Sequence, residues 1–319
     1  MFAVQEFIHK IEEGNASHWV RIFLVYLLLV AVGVGYDLRA YRNFSTEEAM
    51  DAAQIARNLG QGRGFSTDYI RPLSLDLVWQ KTGSPKIKEN HPDLANAPLY
   101  PLALAAVLKV APVDYEIQNT KEVPFKTYGP EIAILVFNQM LLVIVILLTF
   151  FLARNLFDST VAWLSACLVA GTELLWRFSA SGLSTILLVV LLLVLISILV
   201  RVERLVLGET PATRAQMLKW GALIGLTLGV LTLTRYSLGW LVIPLLAYAI
   251  FSYRQHRWNI SVPMLTVFFL VLTPWLIRNY QASGHMFGIA GFAVIQETAD
   301  YPGNTLERSL WLGTRKAPG

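Results

Sequence analysis

Three stretches of this chain, Ile132 to Leu152, Leu183 to Val200 and Ser261 to Ile277, stay apolar for about the length of a bilayer crossing, and nothing else in the sequence constrains the fold as strongly. A spanning helix needs ~20 mostly apolar residues. Within lipid every backbone N–H and C=O must find its partner inside the segment, which leaves helices or a closed barrel. Continuous apolar runs rather than alternating ones select the helix. Composition agrees, since 55% of the 319 residues are hydrophobic and only 15% charged. The expected fold class is an all-α integral membrane protein.

Taken in order, the runs give about seven transmembrane helices. The first is Trp19 to Tyr36. Its acidic lead-in and long apolar run favour a retained anchor over a cleaved signal peptide. Ahead of it, within 1–18, Val4, Phe7, Ile8 and Ile11 recur at helical spacing against Gln5, Glu6, Lys10 and Glu12, the pattern of an amphipathic helix on the membrane surface. Ile132 to Leu152, Val161 to Leu175 and Leu183 to Val200 follow. Trp220 to Tyr253 is too long for one helix at ~1.5 Å per residue, so a hairpin of two spans turning at Thr234-Arg-Tyr-Ser237 is expected, with Ser261 to Ile277 last. The organisation is thus an amphipathic segment (1–18), a first span (19–36), a large first loop carrying interfacial helices (37–129), a bundle (130–277) and a mainly looped tail (278–319).

Orientation follows from the basic residues. With the N-terminus in the cytoplasm, Lys10, Arg21, Arg154, the segment Arg201 to Lys219, and Arg254 to Arg257 all fall on the cytoplasmic side, as the positive-inside rule prefers. The 37–129 loop and the tail are then extracytoplasmic, and a bacterial inner membrane with the site on its periplasmic face is the expected setting. The net charge of +4 is modest and gives no reason to expect a nucleic-acid partner. Cys167, the single cysteine, lies in an apolar run, so neither a disulfide framework nor a cysteine metal site is available.

The first loop holds the chemistry. Ser45 is expected to cap a helix that carries Ile55 and Leu59 on one face and stops at Gly60. Glu48 and Asp51 are i, i+3 neighbours on it, two carboxylates at a membrane surface and the catalytic candidates. The competing account is structural, because Ser45-Thr-Glu-Glu48 is also a capping box in which Glu48 serves the backbone. The glycines of Gly60-Gln-Gly-Arg-Gly64 follow a helix instead of opening one and lack Gly-Lys-Ser/Thr, so they read as a flexible stop and not a phosphate loop. His91 and Asp93 either line a cleft or cap a turn. As metal ligands they want a third partner. At the outward ends of the later spans stand Glu173, Arg177, Arg235 and Arg278. They are i, i+4 pairing and headgroup snorkelling, or, with Arg57, Arg63 and Arg71, a basic rim able to hold a phosphate by forked hydrogen bonds.

These residues also carry a resemblance. Ile55-Ala-Arg-Asn-Leu59, Gly62-Arg-Gly-Phe65, Pro98-Leu-Tyr-Pro-Leu102 with Tyr100, Leu233-Thr-Arg-Tyr236, and Pro274-Trp-Leu-Ile-Arg-Asn279 with Gly284 occur in that order across most of the chain. Together they resemble the lipid-dependent C-class (GT-C) membrane glycosyltransferases, the superfamily of the protein O-mannosyltransferases and the aminoarabinose transferase of lipid A. The resemblance implies a polyprenyl-phosphate sugar donor, an acceptor protein, lipid or glycan at the outer face, and an acidic residue of the first loop acting on the acceptor. Two departures stand out. Relatives tend to have Asp-Glu about seven residues before the Ile-Ala pair, whereas here Glu48 takes the Asp place and Asp51 lies a turn later. Family members are also usually longer, so the chain is expected to be a fragment or to need a partner.

The implied reaction is an inverting glycosyl transfer with a carboxylate as general base, the arginines serving the departing phosphate. It calls for membrane lipids and no nucleotide sugar. No cofactor is certain, and a divalent metal is compatible. Two other classes compete: a transporter or flippase, which would show paired halves and charged or broken helices at mid-membrane, and a non-catalytic subunit of a lipid-linked glycan assembly, which would tolerate loss of Glu48 and Asp51.

Overall fold

The computed structural model describes residues 15–41, 43–84, 89–116, 128–208 and 212–294. The amphipathic stretch from Val4 to Ile11 and the tail beyond 294 lie outside the described residues. Among those described the chain is helical throughout, with one antiparallel bridge between Ser66 and Pro92.

Helix α1 (Asn15–Ala40) contains the first expected span and, at 26 residues, is ~39 Å long at ~1.5 Å per residue. Three short helices follow, α2 (Glu47–Gly60), α3 (Pro72–Thr82) and α4 (Leu99–Val110), and then the bundle begins. Its members are α5 (Gly129–Leu156), α6 (Ser159–Ala170), α7 (Glu173–Ala180), α8 (Thr185–Leu207), α9 (Arg214–Thr234), a 3-10 turn (Tyr236–Leu241), α10 (Val242–Ser252) and α11 (Arg257–Ser283). Among the described residues α5, α8, α9 and α11 are long and apolar enough to cross a membrane, and α6 with α7, bent by 52°, would make a fifth.

The later spans differ from those expected at two places. Val161 to Leu175 does not form one rod, because the helix stops at Gly171 and restarts after Thr172. The hairpin after Trp220 turns where expected, at Arg235, but its second arm is short. Between Arg235 and Tyr253 the first six residues form the 3-10 turn, leaving 11 for α10. The tail differs as well: α11 continues to Ser283, so Arg278 belongs to the helix and not to a loop beyond it.

Two contacts fix the scaffold of the site. In lipid no hydrophobic driving force pulls helices together, and close backbone packing over small residues takes its place. A Cβ on Gly225 would lie 2.1 Å from the Met264 carbonyl oxygen, and one on Gly221 would lie 2.4 Å from that of Ile260, so α9 and α11 touch backbone to backbone. Ile224, Leu228, Met264 and Phe268 fill the core beside this contact. The second contact docks α2. Ala49, Ala52 and Ala56 recur on one face and bury against Tyr100, Leu104 and Leu108 of α4 and Ile134 of α5. Alanine at each lets α2 lie close to α4, and fixes which face of α2 is left for other partners.

Candidate active site

The N-terminus of α2 is capped one residue later than expected. Thr46, in extended geometry, accepts from the Ala49 amide at 3.4 Å, so Ala49 and not Glu48 occupies the third helical position. Glu48 is thereby released from the capping-box role and stands exposed in the first turn. Asp51, a turn on, is buried.

Asp51 is the centre of a polar cluster. Arg71 Nη2 donates to its Oδ2 at 2.9 Å, Asn96 Nδ2 donates to the same oxygen at 2.8 Å, and the Thr67 hydroxyl lies 3.4 Å from Oδ1. Arg71 also reaches Asp93, with Nη1 3.9 Å from Oδ1. Asp93 is fully buried and accepts from the Asn96 amide at 2.8 Å. Burial and the neighbouring Asp51 push the Asp93 carboxyl up to about 6, against the pull of the Asn96 amide, Arg71 and Arg278. Tyr236 joins from the 3-10 turn: its hydroxyl lies 3.3 Å from the Asn96 carbonyl oxygen and accepts from Trp275 Nε1 at 2.6 Å.

Arg278 closes the cluster from α11. Its Nη2 donates to the Phe65 carbonyl at 2.8 Å, and Nη1 donates to the Asp93 carbonyl and to Asn279 Oδ1. The guanidinium also lies over two rings, 5.4 Å from the centre of Phe65 and 4.9 Å from that of Trp275.

Beside this cluster lies a drier corner. Tyr100 is buried, donates to the Gly182 carbonyl at 2.8 Å and accepts from Asn138 Nδ2 at 3.0 Å. Gly182 has φ of +74° and is covered by the Phe44 ring, which a Cβ would meet at 2.7 Å, so glycine is required twice over. Burial raises the Tyr100 pKa, Asn138 offsets part of the rise and the charge of Glu48 adds to it. Glu48 and Tyr100 therefore share a neighbourhood.

The candidates named from the sequence thus separate into groups. Asp51, Arg71, Asp93, Tyr236 and Arg278 come together, and Glu48 with Tyr100 borders them. Arg57 instead turns to Asp68 at 3.7 Å, as does Arg63 at 3.4 Å. His91 is buried with Nε2 3.0 Å from the Ser74 hydroxyl, which ties the loop to α3. Glu173 and Arg177 are exposed on α7, and Arg235 is exposed at the end of α9. Among the described residues no three His, Cys, Asp or Glu side chains gather as metal ligands.

Other polar contacts escaped the sequence reading. Gln139 Nε2 donates to both Asp37 oxygens at 2.7 and 2.8 Å, and Glu131 accepts from the Phe44 amide at 2.9 Å. Asn138-Gln139 is a polar pair inside an apolar run, the kind of interruption that signals inward-facing function or packing. Asn96, three residues after Asp93, has the spacing at which a carboxylate receives a backbone amide.

Residues 127–277 match the dolichyl-phosphate-mannose-protein mannosyltransferase family. That family is one of the GT-C superfamily. The match covers just under half of the chain and takes in α5 through most of α11, including Glu173, Arg177, Arg235 and Tyr236. Glu48, Asp51, Arg71 and Asp93 lie upstream of it, and Arg278 lies one residue beyond its end. No curated protein and no solved structure matches the chain. With four helices, or five counting the bent pair, long and apolar enough to cross a membrane, the described residues have the make-up of a multi-pass membrane protein, and 127–277 is similar to a family of mannosyltransferases.

Proposed function

We propose that the protein transfers a sugar from a polyprenyl-phosphate donor to an acceptor hydroxyl at the outer face of the membrane, with inversion, and that Glu48 is the general base. The observation that carries this reading is the contrast between the two candidate carboxylates of α2, Glu48 and Asp51. Asp51 is buried and already holds Arg71 and Asn96, whereas Glu48 is exposed, free of the cap and beside Ala49, which packs in one cluster with Tyr100. A base must reach the proton it removes, and of these two Glu48 is the one open to an incoming hydroxyl.

In the step itself Glu48 takes the hydroxyl proton while the acceptor oxygen bonds to the anomeric carbon. The bond from that carbon to the phosphate oxygen breaks with its electron pair, and polyprenyl phosphate leaves. Attack opposite the leaving group in a single displacement inverts the anomeric centre. A lipid phosphate is already a good leaving group, so positioning and stabilisation of its charge supply most of the remaining catalysis. Arg235, exposed beside Tyr236 at the edge of the cluster, and Arg177, exposed on α7, are the arginines available to the phosphate. The family match supports a mannosyl donor.

The donor is tested with purified protein in vesicles. Polyprenyl-phosphate mannose is expected to label an acceptor hydroxyl, and a nucleotide-linked mannose is not. Transfer from the nucleotide sugar without lipid donor would overturn the reading.

A further inference from the structure

Arg278 was expected from sequence to hold the donor phosphate, yet both terminal nitrogens of its guanidinium are turned to the protein's own backbone. They donate to the Phe65 and Asp93 carbonyls, and two aromatic rings lie against it. Those two carbonyls belong to the two segments that pair across the loop. The Asp93 amide donates to the Phe65 carbonyl at 3.2 Å, and the Thr67 amide donates to the His91 carbonyl at 2.8 Å around the Ser66 to Pro92 bridge. From one segment come Thr67 and Arg71, and from the other Asp93 and Asn96. Thr67, Arg71 and Asn96 contact Asp51 directly, while Asp93 reaches it through Arg71 and Asn96.

We propose that Arg278 is a positioning residue: it clamps the paired loop segments to the end of α11, and through Asp51 sets the placement of α2 and hence of Glu48. The role rests on reading Glu48 as the base. A planar fork with donors at fixed separation suits two carbonyls at once, and its flat faces suit the Phe65 and Trp275 rings. Lysine keeps the charge but presents a single ammonium and no flat face. The two loop acceptors are backbone oxygens, so the hydrogen-bond demand of the clamp falls on residue 278, while the Phe65 ring holds the guanidinium from one face.

The test is Arg278→Lys, followed by transfer kinetics and by amide exchange in the intact protein in detergent. A clamp predicts that kcat falls roughly 10- to 100-fold, the order of loss that a misplaced reacting group produces, while KM for the polyprenyl-phosphate donor stays within about 2-fold. It also predicts that peptides covering 65–67 and 91–96 exchange at least ~10-fold faster than in the parent. A rise in donor KM with unchanged exchange would overturn the clamp and return Arg278 to the phosphate. Should Arg278→Lys fail to fold, Phe65→Leu removes one ring face and leaves α11 intact. It is expected to speed exchange of the same peptides, and unchanged exchange there would equally overturn the clamp. If the parent protein transfers no sugar at all, the reading of Glu48 fails, and the exchange measurement still decides whether Arg278 holds the loop.

Discussion

At the scale of single residues, the site turns on one shift of register. Reading Ser45 as the cap left Glu48 divided between a structural and a chemical role, and the observed cap at Thr46 removes the structural one. The sequence alone could not decide this, since Ser45 and Thr46 are both good caps and differ only in the backbone angles that tertiary packing imposes. Asp51 and Arg71 were legible as polar residues of the outer loop, but their pairing with Asp93 was not, because it depends on the Ser66 to Pro92 bridge between segments far apart in the chain. The raised pKa of Asp93 yields a prediction. Its folded value of about 6 lies above the ordinary 3.8, so its contribution to stability is full below pH ~3.8 and is lost as the pH rises through about 6. At ~1.4 kcal/mol per unit the change is on the order of 3 kcal/mol, less whatever Arg71 and Arg278 recover by moving closer. Asp93→Asn should therefore gain stability relative to the parent between pH 5 and 7, read as the difference in thermal midpoint. A difference that is flat across this range would show that Asp93 does not titrate there.

At the scale of elements, helices were easy to read and their ends were not. The apolar runs at α5, α8 and α11 announced themselves by length, whereas the break at Gly171-Thr172 and the 3-10 turn after Arg235 follow from how α6, α7 and α10 pack, which hydropathy does not report. A four-residue spacing of glycines, Gly221, Gly225 and Gly229, was present in the sequence and marks the tightest contact in the bundle. Gly225→Ala places a methyl carbon against a backbone oxygen that cannot rotate away, so α9 and α11 must separate. A loss of ~3 kcal/mol or more is expected, the upper end of overpacking costs, measured by unfolding in mixed detergent. Gly35→Ala is the control, because nothing lies within 4 Å of its Cβ and alanine is worth up to ~1 kcal/mol over glycine in a helix. Equal stability of the two variants would mean that α9 and α11 do not meet at Gly225.

At the scale of the whole molecule, the family match and the candidate carboxylates occupy different parts of the chain. The match lies over the bundle, 127–277, and the segment before it supplies the chemistry proposed here. For the two to work together the α2–α4 segment must face the compartment that holds the lipid-linked sugar. With Cys167 replaced by alanine, a cysteine at Ser84 is predicted to react with an impermeant maleimide in intact cells, and one at Ala215 only after the membrane is opened. Reaction of both from outside would overturn this orientation. The most direct measurement is sugar transfer by the protein in vesicles carrying polyprenyl-phosphate mannose, comparing Glu48→Gln with Asp51→Asn. Glutamine keeps the size of the side chain and cannot take the proton, so Glu48→Gln is expected to fold as the parent does and to transfer at least ~100-fold more slowly, the low end of what a general base contributes. Asp51→Asn should instead lower stability while leaving measurable transfer. Near-normal transfer by Glu48→Gln, with transfer abolished in a folded Asp51→Asn, would contradict the account and make Asp51 the base.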